Sequence, residues 1–357
     1  HMKDNGGRGA RNARQGRGPP NDGRQPAVVD EEKSQGNADG GGQMTAPPLP
    51  ALSQLEIDQN ELIVYEKVGE GVTAEVFRGE YRGDMVAIKE IGHKNKTSMS
   101  VKEQVLLARE VSINARVSYD YLVKFFGVSF SSKFRIITEF CSGGTCFELF
   151  HNRKHVSLTW AQRHKIMSDV ACGMNYLHEF SPQIIHRDLK SLNLLLTNAI
   201  VEESEIPHVK VSDFGLARMK DSSELDGWVK MTPATGTCHW MAPEVFGSNY
   251  DVRVDVYSYA MVLFEAICRR VPFQEVEAAV VERYTKQGIR PGLGSVPADC
   301  PKQLVELMVA CWAQKADERP MFGHIIGVLN SVSLGQGFGK ALARQASFKS
   351  SRAVLSL

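Results

Sequence analysis

Near Gly144 the hydrophobic rhythm of the chain changes from the two-residue repeat of strands to the three- to four-residue repeat of helices. A sequence carrying the two blocks in that order has to build two layers of different character. Before the change, Leu62-Ile63-Val64-Tyr65, Glu75-Val76-Phe77-Arg78 and Met85-Val86-Ala87-Ile88-Lys89 are short and rich in β-branched residues, with Gly69, Gly71, Gly79 and Gly83 between them. This pattern predicts an antiparallel meander. The spacing of Val105, Leu106, Arg109 and Ile113 predicts a helix over residues 102–116, and two more strands are expected around 122–130 and 134–139. After Gly144 the periodicity predicts helices over 160–180, 255–268, 275–287, 301–313 and 321–329. The expected fold class is α+β, with a small sheet lobe, a larger helical lobe and a binding cleft between them.

The ends of the chain read differently. From Lys3 to about Pro50 the sequence is Gly, Arg, Asn, Gln and Pro with almost no aromatic or branched apolar residue, too little apolar surface to offset the entropy of ordering. Residues 1–56 are therefore expected to be a disordered Gly/Arg/Pro-rich tail and linker, residues 57–331 one folded domain, and residues 332–357 a flexible tail. Arg8, Arg11, Arg14 and Arg17 among glycines would suit weak contact with RNA or an acidic partner, but a solvated linker is the favoured reading, so nucleic acid is not expected as a partner. The net charge of +1 gives no long-range field toward nucleic acid or membrane. No apolar run reaches the roughly 18 residues that span a bilayer, and the seven cysteines lack paired spacing. A cytoplasmic protein with reduced thiols and no membrane partner is expected.

Phosphoryl transfer asks a protein to hold a triphosphate, neutralise its charge and aim an acceptor hydroxyl in line. Gly69-Glu70-Gly71-Val72-Thr73-Ala74 between two strands is a weak phosphate-loop signal by itself. Val86-Ala87-Ile88-Lys89 on the following strand places a lysine within reach of the α- and β-phosphates, and Glu110 in the next helix is placed to pair with it. The decisive segment is His186-Arg187-Asp188-Leu189-Lys190-Ser191-Leu192-Asn193, which fills every fixed position of the loop His-Arg-Asp-Leu-x-x-x-Asn. There Asp188 would accept or orient the hydroxyl proton, Lys190 would steady the transferring phosphate, and Asn193 would ligate a metal. Asp213-Phe214-Gly215 supplies the second metal ligand, and Ala242-Pro243-Glu244 closes the segment that follows.

On these motifs residues 57–331 resemble a eukaryotic protein kinase domain, which implies the bilobal kinase fold, ATP and Mg2+ (Mn2+ as the alternative ion) as cofactors, and protein substrates. Lys190-Ser191 and Gly236-Thr237-Cys238-His239-Trp240-Met241-Ala242-Pro243-Glu244 are similar to the tyrosine-kinase-like group, which includes Raf, mixed-lineage and plant CTR1-type kinases and mostly phosphorylates Ser and Thr. The resemblance implies further positions. Val68 through Val76, including Glu75, would form the phosphate loop and its flanks, and Thr138 would be the gatekeeper. Backbone groups of Glu139 and Cys141 would meet adenine, while Val76, Ala87 and Leu195 would sandwich its ring. Asp255 would anchor the catalytic loop, and Arg319 would pair with Glu244.

The resemblance also frames control. Arg187 is expected to receive a phosphate carried by Ser222, Ser223, Thr232 or Thr235, placed there by an upstream kinase or by autophosphorylation in trans. A dual-specificity kinase and a weakly active or pseudokinase scaffold are the alternatives. Two positions depart from the pattern. Ala74 stands where a third glycine is usual, which predicts somewhat weaker nucleotide binding. Asn114, one turn after Glu110, puts an amide into an apolar stack otherwise formed by Phe125, His186 and Phe214, which predicts a less favoured active arrangement.

Overall fold

The computed structural model describes residues 52–71, 74–92, 101–130, 133–219, 237–247 and 250–333, all within the compact unit Gln43–Leu357. The strand-forming block builds a five-stranded antiparallel sheet from β1 (Leu62–Glu70), β2 (Ala74–Tyr81), β3 (Asp84–Ile91), β4 (Phe125–Phe130) and β5 (Phe134–Glu139), ordered β1-β2-β3-β5-β4. The meander holds through β3. Beyond it the chain forms a helix, Val101–Asn114, and returns at the far edge, so that β5 pairs with β3 and β4 lies outside.

Because successive strand residues point to opposite faces, the sheet separates two apolar clusters. Val86, Ile88 and Ile137 pack with Ile57 and Leu62, whereas Val128 and Ile136 pack with Val111 of the helix. The strand expected from residue 122 begins at Phe125; Leu122 instead makes an isolated parallel bridge to Val211.

Ordered packing starts ahead of residue 57. A helical turn, α1 (Leu52–Leu55), precedes β1, and the 101–114 helix is accordingly α2. Leu55 leans on the cluster around Val111, Glu56 bridges to Val128, and Ile57 N–H donates to the Val128 carbonyl at 2.7 Å. This crossing needs Gly127, since a Cβ there would lie 2.4 Å from the Leu55 carbonyl oxygen.

The second lobe has one continuous core. It comprises β6 (Gly144–Thr145), a π-helical turn (Glu148–Asn152), α3 (Trp160–Glu179), β7 (Ile184–Ile185), β8 (Leu194–Leu196), β9 (Val209–Val211), β10 (Arg218–Met219), α4 (Arg253–Cys268), α5 (Ala278–Lys286), α6 (Lys302–Cys311) and α7 (Phe322–Ser331). Helix α3 opens with a capping box in which Thr159 and Gln162 satisfy each other's backbone N–H groups. Every residue of α4 from Val254 to Ile267 is buried, so this helix is the axis on which the lobe is assembled. Its last carbonyls are satisfied by Arg163, which donates to Ala266 and Ile267. The predicted helices all appear, with ends displaced by up to three residues. Among the described residues no helix is long and apolar enough to cross a membrane.

Candidate active site

Strand β3 carries Lys89 opposite Val76 of β2 and Ile136 of β5, while its neighbour Ile88 faces the core. Anchored in this way, the lysine reaches out of the sheet to two carboxylates. Its Nζ lies 2.7 Å from Glu110 Oε1 on α2 and 3.3 Å from Asp213 Oδ1. Burial alone would depress the Lys89 pKa, but the negative charges of Asp213 and Glu110 outweigh it and hold the ammonium protonated well above its ordinary range. The Lys89 ammonium in turn lowers the Asp213 pKa, against the opposing effect of burial. Asp213 keeps 42% of its side chain open, so its carboxylate is accessible to a cation. Its backbone is left-handed, φ 65°, a costly conformation for a non-glycine residue that persists only where surroundings enforce it.

The catalytic loop is pinned from below. Buried Asp255 accepts the backbone N–H of His186 and of Arg187, both at 2.8 Å, and His178 Nε2 lies 2.9 Å from the same carboxylate. With its start fixed, the loop closes on itself. Lys190 Nζ lies 3.0 and 2.8 Å from the two Asp188 oxygens, and Asn193 Nδ2 donates to the Asp188 carbonyl at 2.8 Å and to its carboxylate at 3.0 Å.

The short hairpin of β8 and β9 then brings the two metal candidates to one end. Leu194 pairs with Val211, and Ser212 N–H donates to the Asn193 carbonyl at 2.9 Å, so Asn193 and Asp213 flank the same rung. Since the Asn193 amide nitrogen is spent on Asp188, its oxygen is the atom left for a metal, and an amide oxygen with a carboxylate is a donor set suited to a hard divalent cation. Among the described residues no three His, Cys, Asp or Glu side chains form a protein-only metal cage. Two oxygen donors fit an ion that completes its shell with water and phosphate.

The nucleotide-side residues assemble around this centre. Register places Gly69 opposite Val76, Glu70 opposite Glu75, and Ala87 opposite Thr138, while Leu195 stands on β8. Val68 is exposed, and Gly71 N–H donates to the Ala74 carbonyl at 2.8 Å, closing the turn between β1 and β2. Val72 and Thr73 lie outside the described residues. Glu70 and Glu75 do not point their charge at a phosphate; both accept from Lys67, at 2.7 and 2.8 Å. The Glu139 N–H is taken by the Lys124 carbonyl at 2.9 Å, which leaves the Glu139 carbonyl as the group able to meet an adenine edge. Burial pushes the Cys141 thiol up to about 12, so at neutral pH it offers backbone groups and no thiolate.

Next to Asp188, Arg187 has φ 66° and is buried. Its Nε donates to the Leu216 carbonyl at 2.6 Å and its Nη1 to the Tyr250 hydroxyl at 3.1 Å, while Nη2 is a buried donor with no partner among the described residues. Ser222, Ser223, Thr232 and Thr235 lie outside the described residues. Glu244 pairs with Arg319 through both oxygens, with Nη2 to Oε2 at 3.0 Å.

Asn114 turns out differently from the sequence expectation. It is the last residue of α2, and its Nδ2 donates to the Glu110 carbonyl at 2.9 Å, so the buried amide finds a partner within its own helix and the predicted penalty is offset. His186 and Phe214 pack with ring centroids 5.6 Å apart, as the stack requires. Sequence reasoning passed over Glu265 and His151. The available signal was an acid alone in the apolar run of α4, where a charge is retained only if partnered.

Compared with known families, residues 62–329 match the one described as protein tyrosine and serine/threonine kinase. Among curated proteins, the chain is 37% identical over 290 residues to serine/threonine-protein kinase STY17 of Arabidopsis thaliana, covering 80% of this chain and 47% of that protein. It is 32% identical over 293 residues to mitogen-activated protein kinase kinase kinase 7 of Drosophila melanogaster, covering 81% and 40%. It is 34% identical over 283 residues to human serine/threonine-protein kinase TNNI3K, covering 78% and 32%. The chain thus spans less than half the length of these relatives. With the sheet lobe, the Lys89–Glu110 pair and the Asp188–Asn193 loop in place over the matched residues, this chain belongs to the protein kinase family, whose members use ATP, a divalent cation and protein substrates.

Proposed function

We propose that the chain is an ATP-dependent protein serine/threonine kinase, transferring the γ-phosphoryl group to a Ser or Thr hydroxyl with the help of Mg2+. The observation that carries this reading is the convergence of Lys89, Glu110 and Asp213 within hydrogen-bonding range, beside an Asp188 whose carboxylate is oriented by Lys190 and Asn193. A protonated Lys89 held by two carboxylates is ready to bind phosphate oxygens without reorganising. Asp188 orients the acceptor hydroxyl and takes its proton as the oxygen attacks phosphorus and the bond to the leaving ADP oxygen breaks. Lys190, already on Asp188, offsets negative charge at the transferring group. Asn193 and Asp213 would hold the cation, which would supply positive charge to offset that of the phosphates.

Lys190 on the catalytic aspartate and the likeness to serine/threonine-protein kinases STY17 and TNNI3K favour serine and threonine over tyrosine. Phosphoamino-acid analysis of a mixed peptide library incubated with radiolabelled ATP tests it: phosphoserine and phosphothreonine are expected, and phosphotyrosine alone would refute the assignment. Substituting Mn2+ in the same assay tests the metal, with the higher kcat expected for Mg2+.

Regulation by phosphorylation of the segment after Asp213 is part of the proposal. The buried Nη2 of Arg187 is a donor suited to a phosphate oxygen. Changing Ser222, Ser223, Thr232 and Thr235 together to Ala should lower activity at least tenfold; full activity would reject this control. Activation that accelerates with enzyme concentration would indicate autophosphorylation in trans, and its absence an upstream kinase. A cytoplasmic location is likewise proposed, with cell fractionation as its test.

A further inference from the structure

The loop that joins α2 to β4 carries an aromatic patch away from the active-site residues. Tyr119 stacks on Tyr176 of α3, with ring centroids 4.7 Å apart and planes 7° from parallel, and meets Tyr121 edge-on at 5.4 Å. The Tyr121 ring lies in turn 5.5 Å from that of His208. Tyr119 keeps 40% of its surface open, and the other three rings are half-buried. The cation beside the patch is already paired: Lys165 Nζ, 5.8 Å from the Tyr121 ring centroid, lies 2.6 Å from Asp169 Oδ1, and the other Asp169 oxygen accepts the Val209 N–H at 3.0 Å. What the patch offers a ligand is therefore ring surface together with phenol hydroxyls able to donate.

The chain itself contains a segment suited to such a surface. Thr45-Ala46-Pro47-Pro48-Leu49-Pro50-Ala51 lies outside the described residues and carries no charged side chain. Proline fixes its own φ and turns the residue before it away from the helical region, so Pro47-Pro48-Leu49-Pro50 favours the polyproline II form. Aromatic-lined grooves take segments of the type Pro-x-x-Pro because that form is set before binding and loses little entropy on docking. The direction of the chain leads there as well. The bridge between Glu56 and Val128 is parallel, so the residues ahead of Glu56 run toward those ahead of Val128, that is, toward the start of β4 and the α2–β4 loop. Helix α1 covers about 6 Å and residues 47–51 as polyproline II add about 15 Å, whereas the chain from Gly127 back to Tyr121 spans about 20 Å at most. We propose that Pro47-Pro48-Leu49-Pro50 docks in cis on the patch of Tyr119, Tyr121, Tyr176 and His208, strapping the segment ahead of the sheet lobe to the α2–β4 loop.

The strap bears on the active site through the loop it fastens. The Tyr121 carbonyl accepts the Val211 N–H at 2.9 Å, and the Val123 N–H donates to the Val211 carbonyl at 3.0 Å. Val211 ends β9, two residues ahead of Asp213, while the other end of the same loop continues from α2, which carries Glu110. Holding the loop closed limits the movement of that helix against that strand, because local opening is suppressed wherever a segment gains contacts. The docking does not depend on which hydroxyl the chain phosphorylates, so it stands or falls apart from the kinase reading.

Amide hydrogen exchange on the full chain tests the proposal, since it reads the loop directly. Pro47→Ala, Pro48→Ala and Pro50→Ala are combined in one variant, whose changes touch none of the residues that form the two lobes. The amides of residues 118–123 should exchange about tenfold faster in this variant than in the wild type, while those of α4 exchange alike in both. Diluting the wild type about tenfold should leave its protection unchanged, as expected for a segment docking within its own chain. A synthetic peptide of residues 45–51, added to the variant at about millimolar concentration, should restore slow exchange, and the same peptide with alanine at its prolines should not. Equal exchange of wild type and variant over residues 118–123 would overturn the proposal. So would protection that falls on dilution, which would put the segment on a second copy, a proline peptide that restores nothing, or an alanine peptide that restores as much.

Discussion

Lys89 gains its role from what surrounds it: a strand that fixes its stem, and two carboxylates that keep its head charged. Replacing it with Ala removes a preorganised cation and should lower kcat about 10²- to 10³-fold, with the melting temperature little changed, as a steady-state assay and a thermal scan would show. Asn114→Ala behaves oppositely. Among the described residues its amide bonds only the Glu110 carbonyl, so the change should cost about 1 kcal/mol of stability in urea unfolding and leave kcat nearly intact. The contrast shows what the sequence discloses at this scale. Lys89, Asp188, Asn193 and Asp213 were legible because phosphoryl transfer dictates both their type and their spacing. The Asn114 partner and the donors around Glu265 were not, because they come from an i−4 carbonyl and from segments distant in sequence.

Among the elements, strands and helices were readable from periodicity, but their neighbours were not. Nothing in the alternation of β4 and β5 says that β5 lies beside β3; that order follows from where α2 packs. Likewise the N-terminal turn Leu52–Leu55 has too few residues to carry a pattern, and its place is set by Gly127. Gly127→Ala should therefore destabilise the protein by about 1–3 kcal/mol, since the Leu55 carbonyl is backbone and must be displaced. Helix α3 offers a cleaner case, because Thr159 and Gln162 close a capping box at its start. Loss of the Thr159 cap in Thr159→Ala should cost about 1 kcal/mol, read as a lower urea midpoint at unchanged slope.

For the whole molecule, α4 joins folding to catalysis. Burial works against the Asp255 charge, but the hydrogen bond from His178, its charge and that of His186, and the backbone N–H donors outweigh it, so the Asp255 pKa is lowered in the folded state. A depressed carboxylate stabilises the fold above its unfolded pKa, near 3.8, and that contribution is lost as pH falls through the lower folded value. Urea unfolding followed from pH 7 down to pH 3 should show this loss below about pH 4. Asp255→Asn should be less stable at pH 7 by about 3 kcal/mol and should show a shallower acid limb. An unchanged acid limb would mean that Asp255 is not the group titrating.

On the proposed function, the clustered charges around Asp188 transfer phosphate. Incubating the purified chain with radiolabelled ATP, Mg2+ and a serine-containing peptide, beside Asp188→Asn, tests it most directly. Transfer by the wild type and a loss of about 10²- to 10⁴-fold in Asp188→Asn, with ATP still bound, is the predicted result. A wild type that binds ATP but labels no acceptor, or an Asp188→Asn variant as active as wild type, would contradict it.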